Sequence, residues 1–507
     1  MVNIQLQVLG AQLRAIAEEM GAVLVRSAFS ANIKERRDCS TALFDERGRM
    51  IVQAEHIPVH LGAMPEAVAA VMARDPAPGE IFIVNDPFTG GTHLPDITLV
   101  SRVPCGLACS RAHHADVGGM EPASLPAGSR ELYQEGIVVP PVRLDNEVLR
   151  VLLANMRNPE ERRGDLAAQV AAHRLAERRL QELVGRRGPD TVAEAMDALY
   201  RYSERMVRQA IASLPDGCYR AEDRLEPIEG ELVIKAAVTI AGEEVEIDFS
   251  GTSPQHEGNL NCPLAVTRSA CFFVVRSLTE PDLPASGGAF APVTVRAPEG
   301  SLVNARPPAA VVAGNTETSS RIVDCVLSAF AQAIPVPAQG QGTMNNLTFG
   351  NSRFTYYETV GGGQGACPDR DGPSAVHVAM SNTLNTPVEA LELSYPLRVE
   401  RYQLRLGSGG GGRFRGGDGV VREIRALEDC RLSLLSERRR YAPQGRQGGE
   451  RGAPGRTLLN GRELPAKTTC QLRPGDLVRV ETPGGGGYGR PGSRPSAWAS
   501  LDAGPFP

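Results

Sequence analysis

The stretch from Ile81 to Asp116 constrains this chain more than any other. It reads IFIVNDPFTGGTHLPDITLVSRVPCGLACSRAHHAD. The apolar run Ile81 to Val84 reads as a buried strand, ended by the turn Asn85-Asp86-Pro87 and the pair Gly90-Gly91. Ile97 to Val100 reads as the next strand, so His93 and Asp96 fall on a short loop between two stiff elements, where side chains are held in place. Asp86, His93, Asp96, His113, His114 and Asp116 are all metal ligands or proton carriers by type. Three of the chain's 8 histidines lie in this stretch. A lone His-x-x-Asp pair is usually turn or surface chemistry, and two adjacent histidines are often one core and one exposed residue. Acid and imidazole on both sides of a hairpin, however, are costly to bury unpaired. The pattern therefore points to a metal site, and neutral imidazole with carboxylate suits Zn, Mn or Fe.

At 507 residues the chain can build two to four structural units around a large core. The expected fold is α+β, a multi-unit mixed architecture. Residues 1–155 form an N-terminal α+β unit carrying the metal site, 156–215 a helical arm, and 216–400 a central α+β unit. Residues 401–490 form a glycine-rich β domain and 491–507 a disordered tail. Ile4, Val8, Leu9, Leu13, Ile16, Met20, Val23 and Leu24 recur at helical spacing and predict an amphipathic helix packed on the body. Two long antiparallel helices are expected between Glu160 and Pro215, broken at Gly185 to Pro189, with His173 as one ordinary position on that arm. Alternation marks strands on either side of the AGEE turn near residue 242. Helices are expected after NLNCP and from GNTETSS, each with Asn, Ser or Thr caps near its start. Such starts can hold an anionic group, which makes Asn315, Thr316 and Glu317 candidate substrate contacts, although capping alone would also explain them.

Charge and composition exclude several classes. A net charge of -5 and a pI near 6.0 argue against a nucleic-acid binder. The 10 cysteines form no CxxC pair and imply reduced thiols. Met1 to Gly10 lacks the basic start and apolar core of a signal peptide, and no uncharged run has the ~20 apolar residues of a spanning helix. A cytoplasmic protein, with no membrane association, is the expectation. The glycine tracts Gly361–Gly365, Gly407–Gly419 and Gly484–Gly489 lack the phosphate-loop and dinucleotide patterns, and are read as positions for close backbone packing. Around the site, His56 and His60 flank Pro58, which disfavours a helical zinc pair. Substrate contact, phosphate contact, proton transfer and simple loop hydrogen bonding all stay open for them. His377, Asn385, Thr386 and Glu389 are further side chains expected near the site, as are Glu358, Gln364 and Asp369.

NDPFTGGTHLPD, SRAHHADVGG and YQEGIVVPP resemble the signature blocks of the hydantoinase B/oxoprolinase family. SANIKERRDCSTALFD, QAEHIPVHLGAMP, DFSGTSPQHEGNLNCP, GNTETSSRIVD, GSGGGGRFRGGDG and TPGGGGYG extend the resemblance, in order, over nearly the whole chain. That family includes B-type subunits of ATP-dependent N-methylhydantoinases and caprolactamase, and the C-terminal half of 5-oxoprolinase. It is also similar to large subunits of acetone and acetophenone carboxylases. The resemblance implies that Asp38 completes a divalent-metal shell with His93, Asp96 and one of His113 and His114. His113 ranks first, but a shortened link from Ile97 to His113 leaves the choice open. His114 or Asp116 would then move protons, Asp116 also being placed to support a metal-bound imidazole.

What the resemblance implies about chemistry is ATP-dependent ring opening of a hydantoin, 5-oxoproline or lactam. The carbonyl oxygen is phosphorylated, and a water whose pKa a divalent ion lowers to about 7 attacks the carbon. ATP with Mg would be bound mainly by an A-type ATPase partner in a hetero-oligomer such as α2β2. A ketone carboxylase subunit of the acetone or acetophenone type is the alternative, and a non-catalytic scaffold subunit is a second one.

Overall fold

The computed structural model describes residues 4–55, 57–279 and 286–492. Its N-terminal part is built on a six-stranded antiparallel sheet. The strands are β1 Cys39–Asp45, β2 Met50–Glu55, β3 Ile81–Val84, β4 Asp96–Val103, β5 Gly106–His113 and β6 Val142–Arg143. Their spatial order is β2-β1-β5-β4-β3-β6. β4 and β5 form a complete hairpin closed by Pro104 and Cys105, paired from Val103↔Gly106 to Asp96↔His113. The pairing is unbroken along the hairpin, and Cys105 at φ 62° closes it in a two-residue turn.

Because successive strand residues face opposite sides, the parity of each residue decides its environment. Cys39 and Leu43 of β1, with Ala108 and Ala112 of β5, pack under the helix Ile4–Ser27, whose Leu13, Ile16, Ala17, Met20 and Leu24 form the buried stripe. The long helix Pro159–Arg187 lies beside it on the same face and contributes Ala168, Ala172, Ala176 and Leu180. Gly188, at φ +83°, separates it from the helix Pro189–Ala212. Ala42, Phe44, Val100, Leu107 and Cys109 point to the other face, into the main core. His173 is not an ordinary position on this arm. It is buried between Ser101 and Ser110, whose hydroxyls lie 2.7 and 2.9 Å from its two ring nitrogens.

Three more sheets follow. Gly217–Leu225, Leu232–Ala241, Glu244–Asp248 and Val293–Arg296 make one, backed by the helix Ser319–Phe330. Asn346–Gly350 and Thr355–Glu358 join Cys430–Leu435 and Lys467–Leu472 in the second, so hydrogen-bonded strands from either side of residue 400 share one sheet. A five-stranded sheet from Leu397–Arg405 to Leu477–Glu481 packs against that one. This is the mixed α+β architecture with a C-terminal β-rich region. Helix starts differ from expectation. Neither Leu264–Ser277 nor Ser319–Phe330 has a side-chain cap: Pro263 stands at the cap position of the first, and the second is entered through a π-helical turn, Gly314–Thr318, in place of a capped first turn.

The three glycine tracts interlock. Gly417 N donates to Gln364 O, Gly485 N to Gly417 O and Gly410 N to Gly485 O, all at 2.8–2.9 Å. A β-carbon on Gly363 would sit 1.9 Å from Gly417 O, so only glycine fits. None of the ten cysteines is in a disulfide. No helix among the described residues is long and apolar enough to cross a membrane. Residues 493–507, nearly all of the expected disordered tail, lie outside the described residues.

Candidate metal centre

The registers β1–β5 and β5–β4 place three functional side chains in one row. Cys39 pairs with Ala112 and Asp96 with His113, and His113 N donates to Asp38 O at 3.0 Å. Asp38, His113 and Asp96 thus stand side by side across three adjacent strands, on the face away from the long helices. His93 joins them from the loop that enters β4. His93 Nε2, His113 Nδ1 and Asp96 Oδ1 lie 3.2 Å from one another along all three edges. All three residues are buried.

Hydrogen bonds alone cannot satisfy this triangle. Both imidazoles can donate to the carboxylate only if their protons then face each other across the 3.2 Å nitrogen–nitrogen edge. A cation resolves the conflict. Ligand atoms about 2.0–2.2 Å from a metal and 3.2 Å apart subtend roughly 100°, between octahedral and tetrahedral angles. The donor set therefore fits a divalent ion. Burial alone would push the Asp96 carboxyl up, but His93, His113 and His60 around it outweigh that and hold it well below the usual carboxylate range. Burial pushes His113 down, against the pull of Asp96 and Asp38, so its imidazole is in the neutral, ligating form.

The triangle forms the floor of a tight cavity of about 20 Å³, room for about one water. Asp38 and His60 line it beside the three, and Asn315, Thr316, Tyr357, Thr359, Ser381 and Thr383 form its other walls, with Ile57, Val59 and Met344 as apolar patches. His60 sits on the short 3-10 turn Pro58–His60. Its Nδ1 is 2.9 Å from Ser40 Oγ, and its Nε2 is 3.6 Å from Asp96 Oδ2.

A family model for hydantoinase B/oxoprolinase matches residues 3–491. The chain belongs to the hydantoinase B/oxoprolinase family. It is 38% identical over 517 residues to an uncharacterized protein of Methanocaldococcus jannaschii, covering 97% of this chain and 92% of that protein. It is 36% identical over 532 residues to 5-oxoprolinase 1 of Arabidopsis thaliana, covering 96% of this chain but only 42% of that protein, so it spans less than half the length of that relative. Among solved structures, ATP-dependent caprolactamase from Pseudomonas jessenii superposes with a TM-score of 0.92 at 31% identity, covering 98% of this chain and 93% of that one.

In this hydantoinase B/oxoprolinase family member, several residues singled out from sequence lie elsewhere. His114, one residue past the row, faces the opposite side of the sheet. Its Nε2 meets Gln169 Oε1 at 2.9 Å, and burial, aided by the Arg162 charge and opposed by Asp165, pushes it down to about 4. Asp116 accepts from the backbone of Gly118, Ala123 and Arg157 and pairs with the Arg157 guanidinium at 3.0 Å. Both are tied into the scaffold outside the cavity, His114 because strand alternation turns the side chain after His113 away from it, and Asp116 through its bonds beyond the strand end. Asp86 accepts from Phe88 N and Thr89 Oγ1 within its own turn. Glu358 is forked onto Arg422, Asp369 is exposed beside Arg370, and Asn385 donates to Tyr402. Glu317 lies behind the wall, accepting from Met344 N and Asn346 Nδ2. His56 lies outside the described residues.

Tyr357, Thr359, Ser381 and Thr383 are cavity residues that sequence reasoning missed. His377, flagged as a nearby histidine, bonds two of them: its Nδ1 is 2.7 Å from Ser381 Oγ and its Nε2 3.3 Å from Thr383 Oγ1. Tyr357 and Thr359 lie at the end of a short strand and Ser381 and Thr383 in an irregular segment, and isolated hydroxyls there carry no periodic signal.

Proposed function

We propose that this chain is the B-type subunit of an ATP-dependent cyclic amidohydrolase that opens a hydantoin, 5-oxoproline or lactam ring. The observation that carries this reading is the 3.2 Å triangle of His93, His113 and Asp96 on a cavity floor. The likeness to an ATP-dependent caprolactamase over the length of the chain supports the substrate class. Asp38, His93, Asp96 and His113 would hold the ion, with Zn, Mn and Fe all suited to the donors. When bound, such an ion polarises a carbonyl oxygen and lowers the pKa of water toward about 7.

The chain's own residues do the rest. His60 is held by Ser40 at one nitrogen and turns the other toward Asp96 and the cavity, so it can carry a proton between water and the departing ring nitrogen. Asn315 Oδ1 and Thr316 Oγ1 are buried without a partner on the cavity wall, and can accept from and donate to a ring amide. Ile57, Val59 and Met344 cover the hydrocarbon part of a small ring. ATP with Mg would sit on an A-type partner subunit in a hetero-oligomer such as α2β2. Phosphorylating the amide oxygen there removes the resonance that keeps the ring closed.

The test is elemental analysis and turnover on wild type, His93→Ala and Asp96→Ala, each assembled with the A-type subunit. Near-stoichiometric divalent metal lost in both variants, with ATP-dependent opening of hydantoin, 5-oxoproline or caprolactam, is the expected result. Carboxylation of acetone with bicarbonate and ATP, without ring opening, would replace this reading by the ketone carboxylase. A folded wild type that takes up no Zn, Mn or Fe would leave a scaffold subunit.

A further inference from the structure

Arg36 is fully buried, and no carboxylate lies within ion-pairing distance of it among the described residues. Its guanidinium makes only neutral contacts. Nη1 donates to Tyr357 O at 2.7 Å, and Nη2 donates to the hydroxyls of Thr359 at 2.7 Å and Thr383 at 3.1 Å. A buried cation without a counter-charge is expensive, and folds that keep one usually present it to an anion. Nothing in the triangle of ligands uses this charge.

The two threonine hydroxyls carry it to the cavity. Thr359 Oγ1 and Thr383 Oγ1 are 2.7 Å apart, Thr383 Oγ1 lies 3.3 Å from His377 Nε2, and His377 Nδ1 lies 2.7 Å from Ser381 Oγ. Burial and the Arg36 charge push His377 down to about 3, so its imidazole is neutral, with one donor and one acceptor nitrogen. Protons can then be arranged along the chain in only two ways. If Thr359 donates to Thr383 and Thr383 to His377, the imidazole donates to Ser381, and the Ser381 hydrogen is left over. If the direction reverses, the Thr359 hydrogen is left over. Either way one spare hydroxyl hydrogen, polarised by the guanidinium behind it, remains on a residue that lines the cavity. Thr316 Oγ1, buried and unpartnered on the same wall, adds a further donor.

We propose that Arg36, Thr359, Ser381 and Thr383 form an oxyanion-binding wall that takes a phosphoryl or carboxylate oxygen of the bound substrate. The proposal rests on reading this cavity as the reaction site. It deepens that reading by requiring that the molecule bound there carry, or acquire, an anionic oxygen facing away from the imidazole–carboxylate floor. The guanidinium acts through the hydroxyls, as a positioning residue, and the hydroxyls make the contact.

Calorimetric titration of the purified chain with inorganic phosphate and, separately, acetate tests it, with metal content measured on the same samples. Wild type is expected to bind, and Thr383→Val to bind at least tenfold more weakly with unchanged metal content, while Thr383→Ser stays within about threefold. Ser381→Ala removes a cavity-facing hydroxyl without depriving Arg36 of an acceptor, and is expected to weaken binding at least threefold even if the valine variant fails to fold. Binding of phosphate alone assigns the wall to a phosphoryl group, and binding of both anions to a carboxylate-sized oxyanion. Wild type that binds neither, or binding untouched in both Thr383→Val and Ser381→Ala, overturns the proposal. Metal-free wild type that still binds phosphate would remove the metal reading and leave the wall standing.

Discussion

The Tyr357 ring lies against the His113 imidazole, with centroids 4.7 Å apart and planes 20° from parallel. The same ring has the Arg36 guanidinium 4.9 Å from its centroid. Tyr357 Oη donates to Asn346 Oδ1 at 2.9 Å, and Asn346 Nδ2 to Glu317 Oε1 at 2.7 Å. One aromatic side chain from the strand Thr355–Glu358 therefore sets the tilt of an imidazole on the N-terminal sheet. The candidate site exists only where these two parts of the chain meet.

Replacing that ring separates packing from hydrogen bonding. Tyr357→Phe keeps the stack and leaves Asn346 Oδ1 without its donor, which should cost about 1–2 kcal/mol in urea unfolding and leave metal content unchanged. Tyr357→Ala should cost about 3–5 kcal/mol and lower metal occupancy, because His113 loses the surface that orients it. An alanine variant with wild-type occupancy would show that the sheet alone holds the imidazole.

His173 gives the fold an acid-sensitive point far from the cavity. Burial pushes it down to about 3, against 6.5 for the ordinary imidazole. Below pH 6.5 the unfolded chain gains a proton there that the folded chain refuses, so stability is lost as pH falls from 6.5 toward 3. The loss from this residue between pH 7 and pH 5 should be about 2 kcal/mol. His173→Gln should be less stable than wild type at pH 7, through its altered bonds to Ser101 and Ser110, yet show a shallower decline. Denaturant midpoints at pH 7, 6 and 5 measure both, and parallel slopes would refute the assignment.

Much of the site was legible before the fold. His93 and Asp96 stand out by type and position, Asp38 only through the family resemblance, and the strands around them follow from their apolar runs. The choice between His113 and His114 depended on register. A complete hairpin closed by Pro104 and Cys105 puts His113 opposite Asp96, whereas an expected shorter link blurred that pairing. Asp116 has the residue type of a proton carrier, but its role is decided by Arg157 and three backbone amides that no motif records. Arg36, Thr359 and Thr383 were invisible for the same reason: their chemistry arises from contacts between distant segments, not from spacing. His173 shows the limit of helical periodicity, which marks a position on a helix without saying which face meets the sheet.

The glycine tracts make a steric prediction. A β-carbon on Gly363 would lie 1.9 Å from Gly417 O and 2.3 Å from Gly485 N, atoms of backbone that cannot swing aside. Gly363→Ala should therefore destabilise by about 3 kcal/mol or more, at the severe end of overpacking. Gly128→Ala, where nothing lies within 4 Å of the added carbon, should change stability by less than about 0.5 kcal/mol. Thermal unfolding of the two side by side measures this, and equal stability of Gly363→Ala and Gly128→Ala would refute the close packing of the tracts.

Glu317 should give the opposite pH dependence to His173. Burial pushes its carboxyl up to about 8, with Glu437 adding to the rise while Thr343, Lys467 and the Met344 amide oppose it. The folded chain keeps this proton up to about pH 8, whereas the unfolded chain releases it near 4.5. Across that window the folded state binds more protons, so the group's contribution to stability falls as pH rises, by up to about 1.4 kcal/mol per pH unit. Glu317→Gln preserves the shape and the Oε1 acceptor for Asn346, and places an uncharged amide where Oε2 now lies buried without a partner. The variant should match wild type near pH 5 and exceed it increasingly toward pH 8, as read from urea midpoints. If the difference between the two stays constant with pH, Glu317 is ionised in the fold, and a positive group near it, Lys467 first, carries more weight than burial.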